Sequence, residues 1–316
     1  MVPTLADVRQ AADRIGPYAH RTPVLTCASL DRQVGAKVFL KCENLQRVGA
    51  FKFRGACNAV FSLDGDEAAR GVVTHSSGNH AQALALAAAL RGIQAHIVMP
   101  SNAPAVKKAA VAGYGGRITF CEPTLAARER AQAQVQAATG AAAIHPYNDP
   151  RVIAGQGTAV LELLQEVPDL DVVLAPVGGG GLLSGTAIAA QGVRPGLRIL
   201  AGEPAGADDA CRSLAAGHIL PSVDPRTIAD GLLTSLGDLT FPIIRERVER
   251  IVPVSEAGII AAMRFLWERA KLVVEPSGAV PVAVLWERRA GLEGLKVGVI
   301  LSGGNVDLDR LPWQDA

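Results

Sequence analysis

Four short segments carry residue types that could do chemistry together. Val177 to Gly185 reads VGGGGLLSG. Consecutive glycines let the backbone wrap closely around an anion, and the N-terminus of a following helix adds its dipole. The loop holds no Lys or Arg, so backbone N–H groups alone would grip a phosphate. It matches neither GxxxxGK[ST] nor a dinucleotide fingerprint. Phe51-Lys52-Phe53-Arg54-Gly55 sets a lysine between aromatics, and a desolvated lysine has a lowered pKa and can form an imine with an aldehyde. His75 to Gln82 reads HSSGNHAQ, with hydroxyls, an amide and helix-start N–H groups suited to a carboxylate. Leu301 to Asn305 reads LSGGN, where a hydroxyl could bond a ring nitrogen. Taken singly, each has a plainer meaning: a tight turn, a surface charge, an ordinary N-cap, another glycine turn.

The elements that must position these segments alternate along the chain. Strands are expected at Val38–Lys41, Gly71–Thr74, Ala95–Met99, Arg117–Phe120, Asp171–Pro176, Arg198–Gly202 and Val297–Leu301. Helices are expected at Gln82–Arg91, Lys107–Ala112, Leu125–Ala138, Leu182–Gln191 and Ile259–Arg269, with another beginning near Ala56 after the lysine. The strands are short, continuous β-branched runs, as when helices cover both faces of a parallel sheet. That pattern gives an α/β architecture. Ligands of such sheets sit beyond the carboxyl ends of the strands, and every segment above follows one.

Composition narrows the function classes. Hydrophobic residues make up 49% and aromatics 4% of 316 residues, which suits an aliphatic core in roughly two domains. A formal net charge of +1, with no basic cluster among aromatics, argues against nucleic acid as a partner. Cys27, Cys42, Cys57, Cys121 and Cys211 are scattered, odd in number and form no CxxC pair, so neither zinc nor a disulfide framework is indicated. The amphipathic start lacks a signal-peptide core, and no uncharged run could span a bilayer. A cytoplasmic enzyme with no membrane association is expected.

Taken together and in order, the segments KCENLQRVGAFKFRGACNAV, SSGNHAQALALAA, APVGGGGLLSG, GEPAGADDA, TIADGL and LSGGNVDL resemble fold type II, the β-family of pyridoxal-phosphate enzymes. Within it they are similar to the threonine dehydratase and serine racemase group. The resemblance runs from about Arg21 to Leu308. It implies two three-layer α/β/α domains with mostly parallel sheets, tryptophan synthase β-like, with the cofactor in the cleft between them. Residues 1–63 and 148–316 would form the large cofactor-binding domain, and 64–147 a small mobile substrate domain.

By that resemblance Lys52 would bond covalently to the cofactor and then serve as the base at the substrate Cα. Phe51 would pack on the ring and Asn79 would bond the phenolic oxygen. Gly178, Gly179, Gly180, Gly181 and Leu182 would bind the phosphate, and Ser302 would face the pyridine nitrogen. Ser76, Ser77, Asn79 and His80 would hold the substrate carboxylate, with Arg128 near the far end of the substrate. A neutral Ser302 cannot keep the ring nitrogen protonated as a carboxylate would, which favours prompt β-elimination over transamination. The implied activity is removal of water and ammonia from a small β-hydroxy amino acid such as L-threonine or L-serine. Alternatives are a serine racemase with side dehydratase activity, or a dehydratase for threo-3-hydroxyaspartate or phenylserine.

Ser77 bears on that choice, because a hydroxyl there permits two-base racemisation. Glu203, Ala207 and Asp209 resemble the divalent-cation site of the racemase group. Their hard oxygens suit Mg²⁺ or Ca²⁺, with Mn²⁺ also compatible. The plain alternative is a solvated acidic turn. Two departures stand out: GAF replaces the commoner GSF before Lys52, and Leu233-Thr234 replaces a lysine and a serine of the racemase. The second allows a bulkier or more apolar substrate side chain. The chain ends soon after LSGGNVDL, so feedback through an appended regulatory domain is not expected. A homodimer is the family expectation.

Overall fold

The computed structural model describes residues 1–103 and 105–314. In chain order the strands are β1 (Val24–Leu25), β2 (Lys37–Cys42), β3 (Val72–His75), β4 (Ala95–Pro100), β5 (Arg117–Cys121), β6 (Ala142–Ala143), β7 (Val172–Pro176), β8 (Arg198–Pro204), β9 (Arg250–Val254) and β10 (Lys296–Leu301). The helices are α1 (Leu5–Ile15), α2 (Ala28–Val34), α3 (Lys52–Phe61), α4 (Gly65–Ala69), α5 (Asn79–Arg91), α6 (Ala105–Gly113), α7 (Leu125–Thr139), α8 (Pro150–Glu166), α9 (Gly181–Val193), α10 (Asp209–Ala216), α11 (Thr240–Arg247), α12 (Glu256–Phe265) and α13 (Pro276–Trp286).

Two sheets result. One has the order β1-β2-β10-β7-β8-β9 and is parallel except for β1 against β2. The other has the order β5-β4-β3-β6 and is wholly parallel. This is the α/β fold with mostly parallel sheets that the alternation predicts.

Strand periodicity shows why both faces of the larger sheet are covered. Val172 and Leu174 of β7 enter one buried cluster, and Val173 and Ala175 enter the other. Side chains alternate across a strand, so an unbroken apolar run feeds two cores at once. A third cluster lies around the smaller sheet and includes Val72, Leu84, Ala88 and Ile97. Phe53, Ala56 and Val60 of α3 join it, so the helix that starts at Lys52 is packed between the two halves.

The far side of α3 meets a buried charged group. Arg54 donates from Nε to Glu43 Oε2 at 2.7 Å and from Nη1 to Glu162 Oε1 at 2.7 Å. Lys41 Nζ reaches Glu162 Oε2 at 2.6 Å and the carbonyl of Thr22 at 2.6 Å. Lys41, Glu43 and Arg54 are fully buried and Glu162 is partly exposed, so two cations and two carboxylates satisfy one another at the edge of the core. The group fixes α3 against β2 and α8 two residues beyond the lysine.

Candidate active site

A cavity of about 540 Å³ opens where the carboxyl ends of β3, β7 and β10 face one another. That volume is in the range of a site for a small cofactor with its substrate. Phe51, Lys52, Ser76, Ser77, Asn79, His80, Arg128, Gly178 to Gly181, Leu182 and Ser302 all line it. Segments more than 100 residues apart in sequence therefore meet in one cleft. Glu203, Ala207 and Asp209 do not line it.

Lys52 is the first residue of α3, with Phe51 as its N-cap, rather than a residue ahead of a helix starting near Ala56. Its amine lies 5.2 Å from the centre of the Phe51 ring and donates to the carbonyl of Pro146 at 2.7 Å. Burial lowers its pKa from 10.5 to about 8, opposed by the nearby charge of Glu275. A neutral, nucleophilic amine is thus accessible near physiological pH.

The glycine run forms the turn from β7 into α9 and leads the first N–H groups of α9 into the cavity. Gly180, the N-cap, has φ +88, a conformation that L side chains rarely adopt. A Cβ on Gly179 would strike the Tyr147 ring at 2.4 Å. The loop is therefore closely covered by an aromatic, with backbone donors and a helix dipole but no cationic side chain. That donor set fits a phosphate group. Pyridoxal phosphate matches this loop and the softened lysine together.

The third segment opens α5 after β3. Gly78 is the N-cap and Asn79 the first helical residue, so the helix begins three residues earlier than Gln82. Ser76 Oγ accepts from the N–H of Gly78 at 3.3 Å. His80 is buried, with Nε2 turned to the carbonyl of Ile144 at 3.4 Å, so its backbone N–H is what it offers an anion. Burial, with Lys52 nearby, holds the His80 pKa well below the ordinary value, and the ring stays neutral. Ser302 is buried, and its carbonyl accepts from the N–H of Phe51 at 3.0 Å.

The structure adds residues that the sequence reading did not single out. Glu275 lines the cavity, accepts from Asn79 Nδ2 at 3.0 Å, and has its pKa raised to about 7, chiefly by burial. A carboxylate just before Pro276 at a helix start reads in sequence as an ordinary dipole partner, which hides it. His145 accepts at Nδ1 from the N–H of Asn148 at 2.9 Å and is pushed down to about 4 by burial and by His75 and Lys52. Lys107 lines the cavity and pairs with Asp230 at 2.7 Å, bridging α6 to the far wall.

Away from the cavity, Glu203 is the penultimate residue of β8 and Asp209 begins α10. Glu203 accepts backbone N–H groups of Ala210 and Cys211, each at 2.8 Å. Both carboxyls are buried, and burial raises Glu203 to about 8 and Asp209 to about 6. Asp209 Oδ2 has no partner among the described residues. Two adjacent desolvated carboxyls, one with a vacant oxygen, fit a hard cation whose charge would offset that burial.

A family model described as pyridoxal-phosphate dependent enzyme matches residues 15–303. The chain is 52% identical over 312 residues to a β-hydroxyaspartate dehydratase of Paracoccus denitrificans, covering 99% of each. It is 50% identical to an L-threo-3-hydroxyaspartate ammonia-lyase of Saccharomyces cerevisiae, over 98% of this chain and 95% of the relative. Among solved structures, maize serine racemase superposes with a TM-score of 0.96 at 49% identity, covering 100% of this chain and 97% of that one.

Proposed function

The chain belongs to the pyridoxal-phosphate-dependent enzymes, and from that premise we propose that it eliminates water from a β-hydroxy amino acid carrying a second carboxylate, of the 3-hydroxyaspartate type, and that the released enamine takes water back and loses ammonia to leave a 2-oxo acid. One observation carries the choice of substrate. Arg128 stands in the cavity wall near His75, whose pKa is lowered first by burial and then by this cation, and it has no carboxylate partner among the described residues. A neutral side chain such as that of serine or threonine has no use for such a cation. The Paracoccus and yeast relatives, both named for hydroxyaspartate, support the same reading.

In this reading Ser76, Ser77 and the first N–H groups of α5 hold the α-carboxylate, and Arg128 holds the second one. Gly178 to Leu182 bind the cofactor phosphate, Phe51 packs on its ring, Asn79 bonds its phenolic oxygen and Ser302 faces its ring nitrogen. Lys52, once free, takes the Cα proton at Nζ. The cofactor supplies the electron sink for the charge left at Cα. Residues 64–147 act as the small domain that closes over the substrate. Glu203, the carbonyl of Ala207 and Asp209 hold a divalent cation, Mg²⁺, Ca²⁺ or Mn²⁺, with water completing its shell. The working assembly is a cytoplasmic homodimer. Among the described residues no helix is long and apolar enough to cross a membrane.

The test is 2-oxo acid release from threo-3-hydroxyaspartate, L-serine, L-threonine and phenylserine. The expected order puts hydroxyaspartate first in kcat/KM, with about a 10- to 100-fold loss in Arg128→Ala for that substrate alone. An equal or higher kcat/KM for L-serine overturns this substrate assignment. The second reading is racemisation, favoured by the Ser77 hydroxyl in the same cavity as Lys52. Chiral analysis decides it: D-serine forming faster than pyruvate makes the protein a racemase first.

A further inference from the structure

Residues 302–305, which follow β10, tie the segment just before the lysine loop to two residues of the cavity wall, Asn79 and Glu275. The N–H of Gly304 donates to the carbonyl of Gly49 at 2.9 Å, and the N–H of Glu275 donates to the carbonyl of Gly303 at 3.0 Å. The N–H of Asn305 donates to Glu275 Oε2 at 3.2 Å. The Asn305 side chain spends both hydrogens of Nδ2, one on the carbonyl of Val48 at 2.7 Å and one on Asn79 Oδ1 at 2.9 Å.

A side-chain amide has two ends of similar shape, and its partners decide which end faces where. The Val48 carbonyl can only accept, so Asn305 must turn Nδ2 toward it. The second hydrogen of that same nitrogen reaches Asn79, so Asn79 must present Oδ1. Asn79 Nδ2 is thereby turned to Glu275, at 3.0 and 3.3 Å; the two oxygens of one carboxylate subtend a narrow angle at Nδ2, whereas its hydrogens diverge by about 120°, so one hydrogen serves both oxygens and the other is left for the cavity. A backbone carbonyl thus sets the orientation of the whole chain of amides. Val48 has φ +56, left-handed for a β-branched residue, a strained conformation that lasts only where its surroundings hold it. The conformation of Val48 and the acceptance by its carbonyl belong to one arrangement immediately before the lysine loop.

We infer that Asn305 is a positioning residue: through Asn79 it keeps an N–H, and never a carbonyl, pointed at the phenolic oxygen of the cofactor. The inference rests on the cofactor placement proposed above. A donor at that oxygen favours its anionic, visible-absorbing form, whereas an acceptor there favours the neutral phenol, which absorbs in the near ultraviolet.

The experiment reads the ratio of the two absorption bands in holoenzyme reconstituted with pyridoxal phosphate at neutral pH. Four proteins are compared: unsubstituted, Asn305→Asp, Asn79→Ala and the double variant. Asn305→Asp removes the donor and is expected to move the ratio about tenfold toward the near-ultraviolet band. In the Asn79→Ala background the same change is expected to add nothing, because the effect passes through Asn79. An unchanged ratio in Asn305→Asp overturns the inference, and so does a shift that persists without Asn79. Where Asn305→Asp does not fold, Asn305→Ala removes the donor without a new charge and is expected to shift the ratio in the same direction. A parent protein that binds pyridoxal phosphate with no visible band at all sinks the cofactor reading itself, which separates the two failures.

Discussion

Lys52 Nζ and the Pro146 carbonyl lie 2.7 Å apart, so the amine at the start of α3 is hydrogen-bonded to the segment by which the chain returns from β6 to α8. Pro146, Tyr147 and His145 all line the same cavity, and Tyr147 covers the glycine loop. The lysine, the phosphate-type loop and the crossing between the two sheets therefore form one mechanical unit.

The first prediction concerns the pH at which that amine captures its aldehyde. Only the neutral amine attacks, and burial lowers the Lys52 pKa to about 8. The second-order rate of pyridoxal-phosphate uptake by cofactor-free protein is expected to rise with pH and level off near 8. Below that point it should fall by about tenfold per pH unit. Stopped-flow absorbance at fixed ionic strength measures it. A rate still climbing steeply past pH 9 would mean an ordinary exposed lysine. Lys52→Ala should take up no cofactor that borohydride can fix to the chain.

The second prediction concerns the buried charges behind α3. Arg54→Met leaves Glu43 and Glu162 facing each other with only Lys41 to balance them. Removing one partner of such a group costs about 3–5 kcal/mol, because the remaining charges stay desolvated. Urea unfolding of the cofactor-free protein should show a loss of that size. A loss below about 1 kcal/mol would mean that water reaches the group, contrary to the full burial of Arg54 and Glu43.

The third prediction uses glycine geometry. At Gly180, φ is +88, and a Cβ would lie 2.8 Å from Ile244 Cδ1 and Thr240 Oγ1. Gly180→Ala is expected to cost about 1–3 kcal/mol and to weaken cofactor binding by about tenfold or more. Gly196 has nearly the same torsion, φ +86, but nothing lies within 4 Å of its Cβ position. Gly196→Ala is thus the control: a stability loss from the torsion alone, with cofactor affinity unchanged. Equal losses of cofactor affinity in the two variants would mean that the glycine turn has no special role.

The α/β alternation and the four cavity segments were legible in the sequence because each rests on local pattern: an apolar run, then a glycine- or hydroxyl-rich turn, then a helix. What was not legible depends on distant partners or weak local signals. Helix α8, 17 residues long, is absent from the helices that the sequence pattern predicts. Gly155 and Gly157 lower its helix propensity, and the N-cap Asp149 followed by Pro150 was the start signal that went unread. Lys41, Glu43, Arg54 and Glu162 look like surface charges until folding pairs them. Glu275 and Asn305 gain meaning only through Asn79, some 200 residues earlier in the chain.

The last prediction concerns the Glu203–Asp209 pair and fixes the sign of a pH effect. Burial, with the neighbouring acids adding to it, raises Glu203 from 4.5 to about 8, and burial raises Asp209 from 3.8 to about 6. Without a cation, the folded protein keeps protons there that the unfolded chain has already lost. Between about pH 4 and 8 the folded state binds more protons, so this pair makes stability fall as pH rises through that window. A divalent cation needs both carboxylates ionised and replaces those protons, so its stabilisation must grow with pH. Thermal unfolding with and without Mg²⁺ is expected to show a small rise in Tm at pH 5.5 and a larger one at pH 8.5. At a hundredfold excess over Kd the gain is about 2.7 kcal/mol. The double variant Glu203→Gln/Asp209→Asn should abolish the Mg²⁺ effect at both pH values, and should lose the downward slope between them as well. A Mg²⁺ shift that is equal at both pH values, or that survives in the double variant, would place the cation elsewhere.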